Sequence, residues 1–558
     1  MKVDFENLSS KIKALLYDYM KIQTFTGTAN ERLVEDFFVK HFENIPYFKE
    51  HPDYWGLYKI EGDVFDRSVC WAMVKGSENP ENAVVLIHHY DVVGIEDFKT
   101  LKDYAFSPDL LAEELLKNQE MLNQEAREDL LSGDYIFGKG GCDMKAGGSI
   151  QYSLLEEYSK TLDLTGTVIV ISVPDEENLS AGMRGAAVLL SELKKAHGFN
   201  YKLMINSEPH QRKNPEKGIY SLGSVGKLLP FVYVRGYMSH AGKAFEGLNP
   251  DNIMAEVIRR TELNMNLSDA FGNECSPPPT WLNVKDSKAL YDVSMPLSAF
   301  GCLSVLTLTS TPSEILEKIK TICEESFAKI IKEMNASYLE FRRRRGEKEE
   351  SLPWEVCVNT FSDLMKEAED SCGNSFDELY QSKFNEVKEK FHIGEYSIID
   401  SNFKLVEFLL ELVEDTRPRI IYGLVPPYYP CTSNIEYEKN DEKIKNLTDV
   451  LNEFTFKEFN QIYDREYFFT GISDLSYVSM SDPETVRHSI ERSMPLFGEL
   501  YDIPFEEIHD ISMPMINIGP WGKDFHKLTE RVLKEDTLVR TPRILNHAIE
   551  FILDQPKK

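Results

Sequence analysis

Apolar runs and polar clusters alternate in a regular way over the first 210 residues. Ala83–Ile87 (AVVLI) ends at His88-His89-Tyr90-Asp91, and Gly166–Val173 (GTVIVISV) ends at Pro174-Asp175-Glu176-Glu177. Continuous β-branched runs of this length predict strands buried on both faces. Between them the pattern over Gly147–Leu162 is helical. After the second run Gly185–Ala196 is helical too, with Ala186, Leu189, Leu190 and Leu193 on one side. A third strand is expected over Tyr201–Ile205, ending at Asn206-Ser207-Glu208-Pro209. Strands and helices in alternation predict an α/β fold whose sheet is at least partly parallel. In such sheets functional groups gather just beyond the carboxyl ends of the strands, where these polar clusters fall.

The pattern changes near residue 218. Leu228–Val234 and the stretch LSAFGCLSVLTL after Pro296 read as strands. A helix is expected from Pro312 to about Met334. Thr311 can cap it, Pro312 suits its first turn, Glu314 can complete a capping box, and Ile315, Ile319, Ile322 and Ile330 share a face. Ser337–Arg342 (SYLEFR) reads as a returning strand. Residues 346–465 are mostly helical and highly charged, interrupted by the apolar stretch Ile420–Pro430. Met513–Gly519 and Lys527–Leu553 read as strand, turn and a long broken helix. The expected division is a first part over 1–217, an inserted α+β domain over 218–345, and a second part over 346–558 that carries the extra helical segment.

Composition narrows the classes. A chain of 558 residues exceeds one compact core. The formal charge of −30 disfavours nucleic acid and anionic membrane as partners, because such a surface repels phosphate. The eight cysteines include no CxxC pair and read as reduced thiols of a cytoplasmic protein. At the N-terminus Leu8, Ile12, Leu15, Leu16 and Tyr19 recur at helical spacing among charges, unlike a signal peptide.

The polar clusters hold the residue types that bind hard or borderline divalent cations: carboxylates and imidazoles converging from several elements. Alternation along a strand puts His89 and Asp91 on one side, so Asp91 can accept the second ring N–H of a ligating His89. His88 should face the other way, as a structural residue. In Gly138–Lys145 (GKGGCDMK) a glycine-rich turn presents Asp143, whose two oxygens can reach two ions. That segment fits neither phosphate-loop pattern, and an aspartate at its tip would repel phosphate. Asp175, Glu176 and Glu177 are three adjacent negative charges that need a counter-charge. Each cluster alone could be a solvated acidic loop, and His240 (SHAG) or His526 (GPWGKDFH) alone an ordinary loop histidine.

Taken in order, HxD, the glycine-rich Asp143 turn, Asp-Glu-Glu, Glu-Pro, Ser-His-Ala and a late Gly-x-x-x-His resemble the M20 family of metallopeptidases. That family includes aminoacylases, dipeptidases and glutamate-releasing carboxypeptidases. The resemblance covers residues 10–250 and 465–555, and the extra segment is similar to the arginine utilisation proteins. It implies a zinc-exopeptidase-like catalytic domain with an inserted α+β lid of the dimerisation type. It also implies two divalent ions, zinc first, with cobalt and manganese compatible. By the resemblance His89, Asp143 and Glu208 hold one ion, and Asp143, Glu177 and His526 the other. Glu176 is the general acid/base, Asp91 supports His89, and His240 on the lid reaches the oxyanion, across a homodimer in one arrangement. The implied substrates are small peptides or N-acyl amino acids. Two positions depart from the family pattern: Val293 stands where an asparagine is common, and Leu306–Thr309 lacks a carboxylate-binding arginine. A member that binds metal but has lost catalysis is the alternative, and an intact Glu176 argues against it.

Overall fold

The computed structural model describes residues 3–161, 164–212, 214–480 and 482–554. The chain forms two compact units. The first comprises Met1–Ser224, Thr432–Ser481 and Pro504–Lys558; the second comprises Val225–Cys431 and Asp482–Ile503.

An eight-stranded sheet centres the first unit. Its order is Trp55–Lys59, Ser68–Lys75, Thr165–Val173, Glu78–His89, Asn200–Asn206, Met515–Asn517, Lys217–Ser221, Ile462–Glu466. The strands Thr165–Val173, Glu78–His89, Asn200–Asn206 and Met515–Asn517 run parallel to one another. The three runs expected from hydropathy are therefore the buried middle of the sheet, and their carboxyl ends lie side by side.

Alternation then sorts the side chains. Val84, Leu86, Val168 and Val170 face a cluster with Leu8, Ile12, Phe38, Ile150, Leu154 and Ile549. These come from the helices Phe5–Met20, Leu33–Phe42, Ala146–Thr161 and Thr541–Leu553. Helix Ala181–His197 covers the other face, where Gly185 brings it against Ile60 and Val69. The expected helix over 147–162 begins one residue early; position 162 lies outside the described residues. All eight cysteines are unpaired. Among the described residues no helix is long and apolar enough to cross a membrane.

The second unit is built on a five-stranded sheet, ordered Thr280–Asp286, Ser298–Thr307, Gly226–Arg235, Arg419–Tyr429, Val358–Thr360. Two expectations are corrected here. Residues 346–431 belong to this unit, not with the second part of the first, and 482–503 join them. The cause is the long-range pairing of Arg419–Tyr429 along Gly226–Arg235. Helices Phe361–Cys372 and Ile398–Leu412 then bury Leu364, Phe403, Val406 and Leu409 with Phe231 and Ile421. Ser337–Arg342 is not a strand either: one helix of 33 residues runs Pro312–Arg344, with the expected capping box at Thr311 and Glu314.

Candidate metal centre

Five segments of the first unit, at strand ends and in turns, bring six of the eight candidate residues together. His89 is the last residue of its strand and is fully buried. Its Nε2 faces Asp143 Oδ1 at 3.1 Å, Glu208 Oε1 at 3.3 Å and Glu176 Oε2 at 4.0 Å. Asp143 turns its other oxygen to His526: Oδ2 to Nε2 is 3.1 Å, and the same Nε2 lies 2.8 Å from Glu177 Oε1. The Asp143 carboxylate thus stands between two groups of donors, one around His89 and one around His526. Two triplets, His89–Asp143–Glu177 and His89–Glu176–Glu208, have ligand atoms all within 4.8 Å of one another.

Local backbone explains how each segment delivers its side chain. Gly140 has φ +67, and a Cβ there would sit 2.4 Å from Val92 Cγ1, so the turn that presents Asp143 needs glycine. The peptide between Asp143 and Met144 is cis. Asp91 does more than support His89. The His89 Nδ1 lies nearer the main-chain oxygen of Asp91, at 3.1 Å, than its carboxylate, at 3.5 Å. The carboxylate instead accepts the backbone N–H groups of Glu176 (3.1 Å) and Glu177 (3.2 Å). Asp91 therefore supports the imidazole and fixes the segment carrying both acids. His88 points the other way, with Nδ1 2.9 Å from Gln151 Oε1, as alternation requires.

The charge on Asp175 has a protein counter-ion. Arg67 Nη1 lies 2.8 Å from its Oδ1 and 2.7 Å from Glu31 Oε1, while Glu31 Oε2 accepts the Asp175 N–H at 2.8 Å. Only Glu176 and Glu177 of the three acids face the cluster. Burial pushes the carboxyls of Glu176, Glu177 and Glu208 above the usual range, Glu208 to about 8, and neighbouring carboxylates add to the effect. Hydrogen bonds to Asp143 and Glu177 raise His526 to about 10. Burial would raise Asp143 as well, but its hydrogen bonds with His526 and His89 hold it below the usual carboxylate range.

Acids crowded out of water with two imidazoles as counter-charge suit a pair of divalent cations. Two ligands on one tetrahedral zinc stand about 3.4 Å apart, given bonds of about 2.0–2.2 Å. The observed separations of 2.8–3.3 Å are close to that. The donor set, with its two triplets sharing His89, fits divalent cations.

His240 lies in the second unit. It is an exposed cap whose Nδ1 accepts the Gly242 N–H at 3.0 Å. Two buried acids around the cluster were not anticipated. Asp474, fully buried, accepts from Ser180 Oγ at 3.4 Å, and burial pushes its carboxyl up to about 7. Glu530 is also fully buried, beside the Asp143 turn. Nothing in the hydropathy pattern marks either; the one signal for Glu530 is its place four residues after His526.

A model of the family described as Peptidase family M20/M25/M40 matches residues 120–552. The chain is 31% identical over 549 residues to the YqjN protein of Bacillus subtilis strain 168, covering 98% of this chain and 97% of that one. It is 27% identical over 557 residues to Protein RocB of the same organism, covering 99% and 96%. Among solved structures it is similar to a tripeptidase of Staphylococcus aureus, with a TM-score of 0.51 at 12% identity, covering 98% of this chain and 99% of the other. That likeness concerns the fold alone.

Proposed function

The chain belongs to peptidase family M20/M25/M40, and from that premise we propose that it is a two-metal hydrolase of amide bonds in small peptides or N-acyl amino acids. The observation that carries the proposal is the Asp143 carboxylate, with one oxygen toward His89 and the other toward His526. The whole-chain likeness to Protein RocB supports placement with the arginine utilisation proteins.

When bound, the two ions would polarise the scissile carbonyl and lower the pKa of the attacking water. Every other role belongs to side chains. His89 and Glu208 would hold one ion, Glu177 and His526 the other, with Asp143 available to both. Glu176 reaches the cluster without a close contact to either imidazole, its nearest being 4.0 Å. Its carboxylate takes the water proton and passes it to the leaving nitrogen. Asp91 holds the Glu176 N–H and so the direction of that carboxylate. His240 is assigned to the oxyanion on the family resemblance.

The test combines metal analysis of the loaded protein with turnover assays over dipeptides and N-acyl amino acids. Two bound ions per chain with hydrolysis of at least one class are expected. No bound divalent ion after careful loading would overturn the proposal. Two ions with no turnover across the library would make the protein a binding member that has lost catalysis.

A further inference from the structure

Glu530 has no part in the proposed chemistry, yet it joins two ligand-bearing segments. Its Oε1 accepts the backbone N–H groups of Cys142 at 3.3 Å and Asp143 at 3.4 Å, and its Oε2 lies 3.3 Å from Lys139 Nζ. The main chain continues the tie: the Gly138 N–H donates to the Glu530 carbonyl at 3.1 Å, and the Glu530 N–H to that of Lys527 at 2.9 Å. Beyond it, Arg531–Leu533 pairs antiparallel with Tyr135–Phe137.

The His526 segment is closed by its own contacts. Arg531 Nη1 lies 2.5 Å from Asp524 Oδ2, which also accepts from Thr529 Oγ1 at 2.8 Å. The Asp143 turn contains two glycines at positive φ, Gly138 and Gly140, and packs through Cys142, which is buried with Leu16, Met20 and Ile136. That turn donates two N–H groups to a buried carboxylate rooted in the closed His526 segment. Asp143 Oδ2 and His526 Nε2 stand 3.1 Å apart.

We propose that Glu530 is a positioning residue for the metal centre, holding Asp143 in register with His526 through its hydrogen bonds to the Cys142 and Asp143 amides. The inference rests on the two-metal reading. Residues that orient metal ligands in this way typically contribute about 10–100-fold to metal affinity. Length and acceptor should matter here more than charge.

Two substitutions separate those properties. Glu530→Gln keeps the reach and one accepting oxygen but loses the charge opposite Lys139. Glu530→Asp keeps the charge and loses the reach. Zinc and cobalt affinities are measured by competition with a chelator on full-length protein, with circular dichroism as the check on folding. Hydrogen exchange of the 138–145 segment is followed in the metal-free protein. Glu530→Asp should bind metal about 10–100-fold more weakly and exchange faster over 138–145, with Glu530→Gln close to wild type in both. Should Glu530→Gln be unstable because Lys139 is left unpaired, Lys139→Met combined with it removes the buried ammonium and should restore both readouts. Arg419→Leu, which breaks a buried ion pair with Glu367 and Asp415 in the second unit, is the control for general destabilisation. Wild-type affinity in Glu530→Asp, a loss no larger than in the control, or the reverse order of Asp and Gln overturns this inference alone. A wild type that takes up no ion overturns the two-metal reading and this inference with it.

Discussion

Glu176 and Glu177 are neighbours with different surroundings, and the difference makes their roles separable. Glu177 Oε1 lies 2.8 Å from the His526 imidazole, whereas the nearest imidazole to Glu176 is 4.0 Å away. Glu176→Gln should keep both ions and lose about 10²–10⁴-fold in kcat, the range of a general acid–base contribution. Glu177→Gln removes a ligand charge, so metal affinity should fall first, with activity partly restored by excess metal. A Glu176→Gln variant that stays active while losing metal would reverse the two assignments. His240→Ala should lower kcat more than it raises KM, because an oxyanion contact strengthens in the transition state; an unchanged kcat removes His240 from the mechanism. His41 gives a residue-scale test of stability. Burial lowers its pKa below the ordinary 6.5, and its ring lies against Tyr152 at 5.8 Å. A base with a lowered folded pKa binds its proton more readily when unfolded. Its contribution is therefore intact above about pH 6.5 and is lost as the pH falls toward the folded value. Urea midpoints measured at about pH 7 and about pH 5 should differ less in His41→Gln than in wild type, and an equal pH dependence would show that another group carries it.

At the scale of elements, the long helix Pro312–Arg344 offers a direct measurement. Thr311 Oγ1 accepts from the Glu314 N–H, and Glu314 returns the bond to the Thr311 N–H at 2.8 Å. Thr311→Ala should destabilise the second unit by about 1 kcal/mol, the usual value of such a cap; a denaturant midpoint unmoved within error would show that packing alone fixes this end. The start of this helix was legible because caps are local chemistry. Its end was not. SYLEFR alternates like a strand, yet no Gly or Pro interrupts the chain before Gly346, and Tyr338 and Phe341 both pack on Phe245 at 5.2–5.3 Å. A contact nearly a hundred residues away in sequence overrode the local pattern. The same reasoning covers Ile420–Pro430, whose apolar run was visible but whose partner, Gly226–Arg235, was not. The site divides along the same line. Strand ends with clear hydropathy place His89, Glu176, Glu177 and Glu208, while Asp143 and His526 joined them only through the order of motifs that resembles the family. Asp474, Glu530 and the Arg67–Glu31 pair act through burial and backbone contacts that no spacing encodes.

Across the whole molecule, all five metal-ligand candidates lie in the first unit, on segments of the chain as far apart as 89 and 526. Metal binding would therefore tie together parts of one unit that are distant in sequence, and its free energy would add to the stability of that unit. The acids there are raised by burial and by one another, so the metal-free cluster opposes its own folding, and cations relieve that cost. For an ion that binds only the folded state, a free concentration a hundredfold above Kd contributes about 2.7 kcal/mol per site. Loading metal-free protein with zinc should raise its melting temperature and slow hydrogen exchange over 138–145, 174–180, 206–210 and 524–531. Exchange in the helix Pro312–Arg344 should stay unchanged, because that helix carries none of the ligands. The comparison is informative because a non-specific effect of the cation on a chain of charge −30 would protect acidic surfaces in both units alike. Slowing confined to the ligand segments supports a built site. Equal slowing in both units, or none at the ligand segments, would mean that the convergence of His89, Asp143 and His526 does not hold an ion.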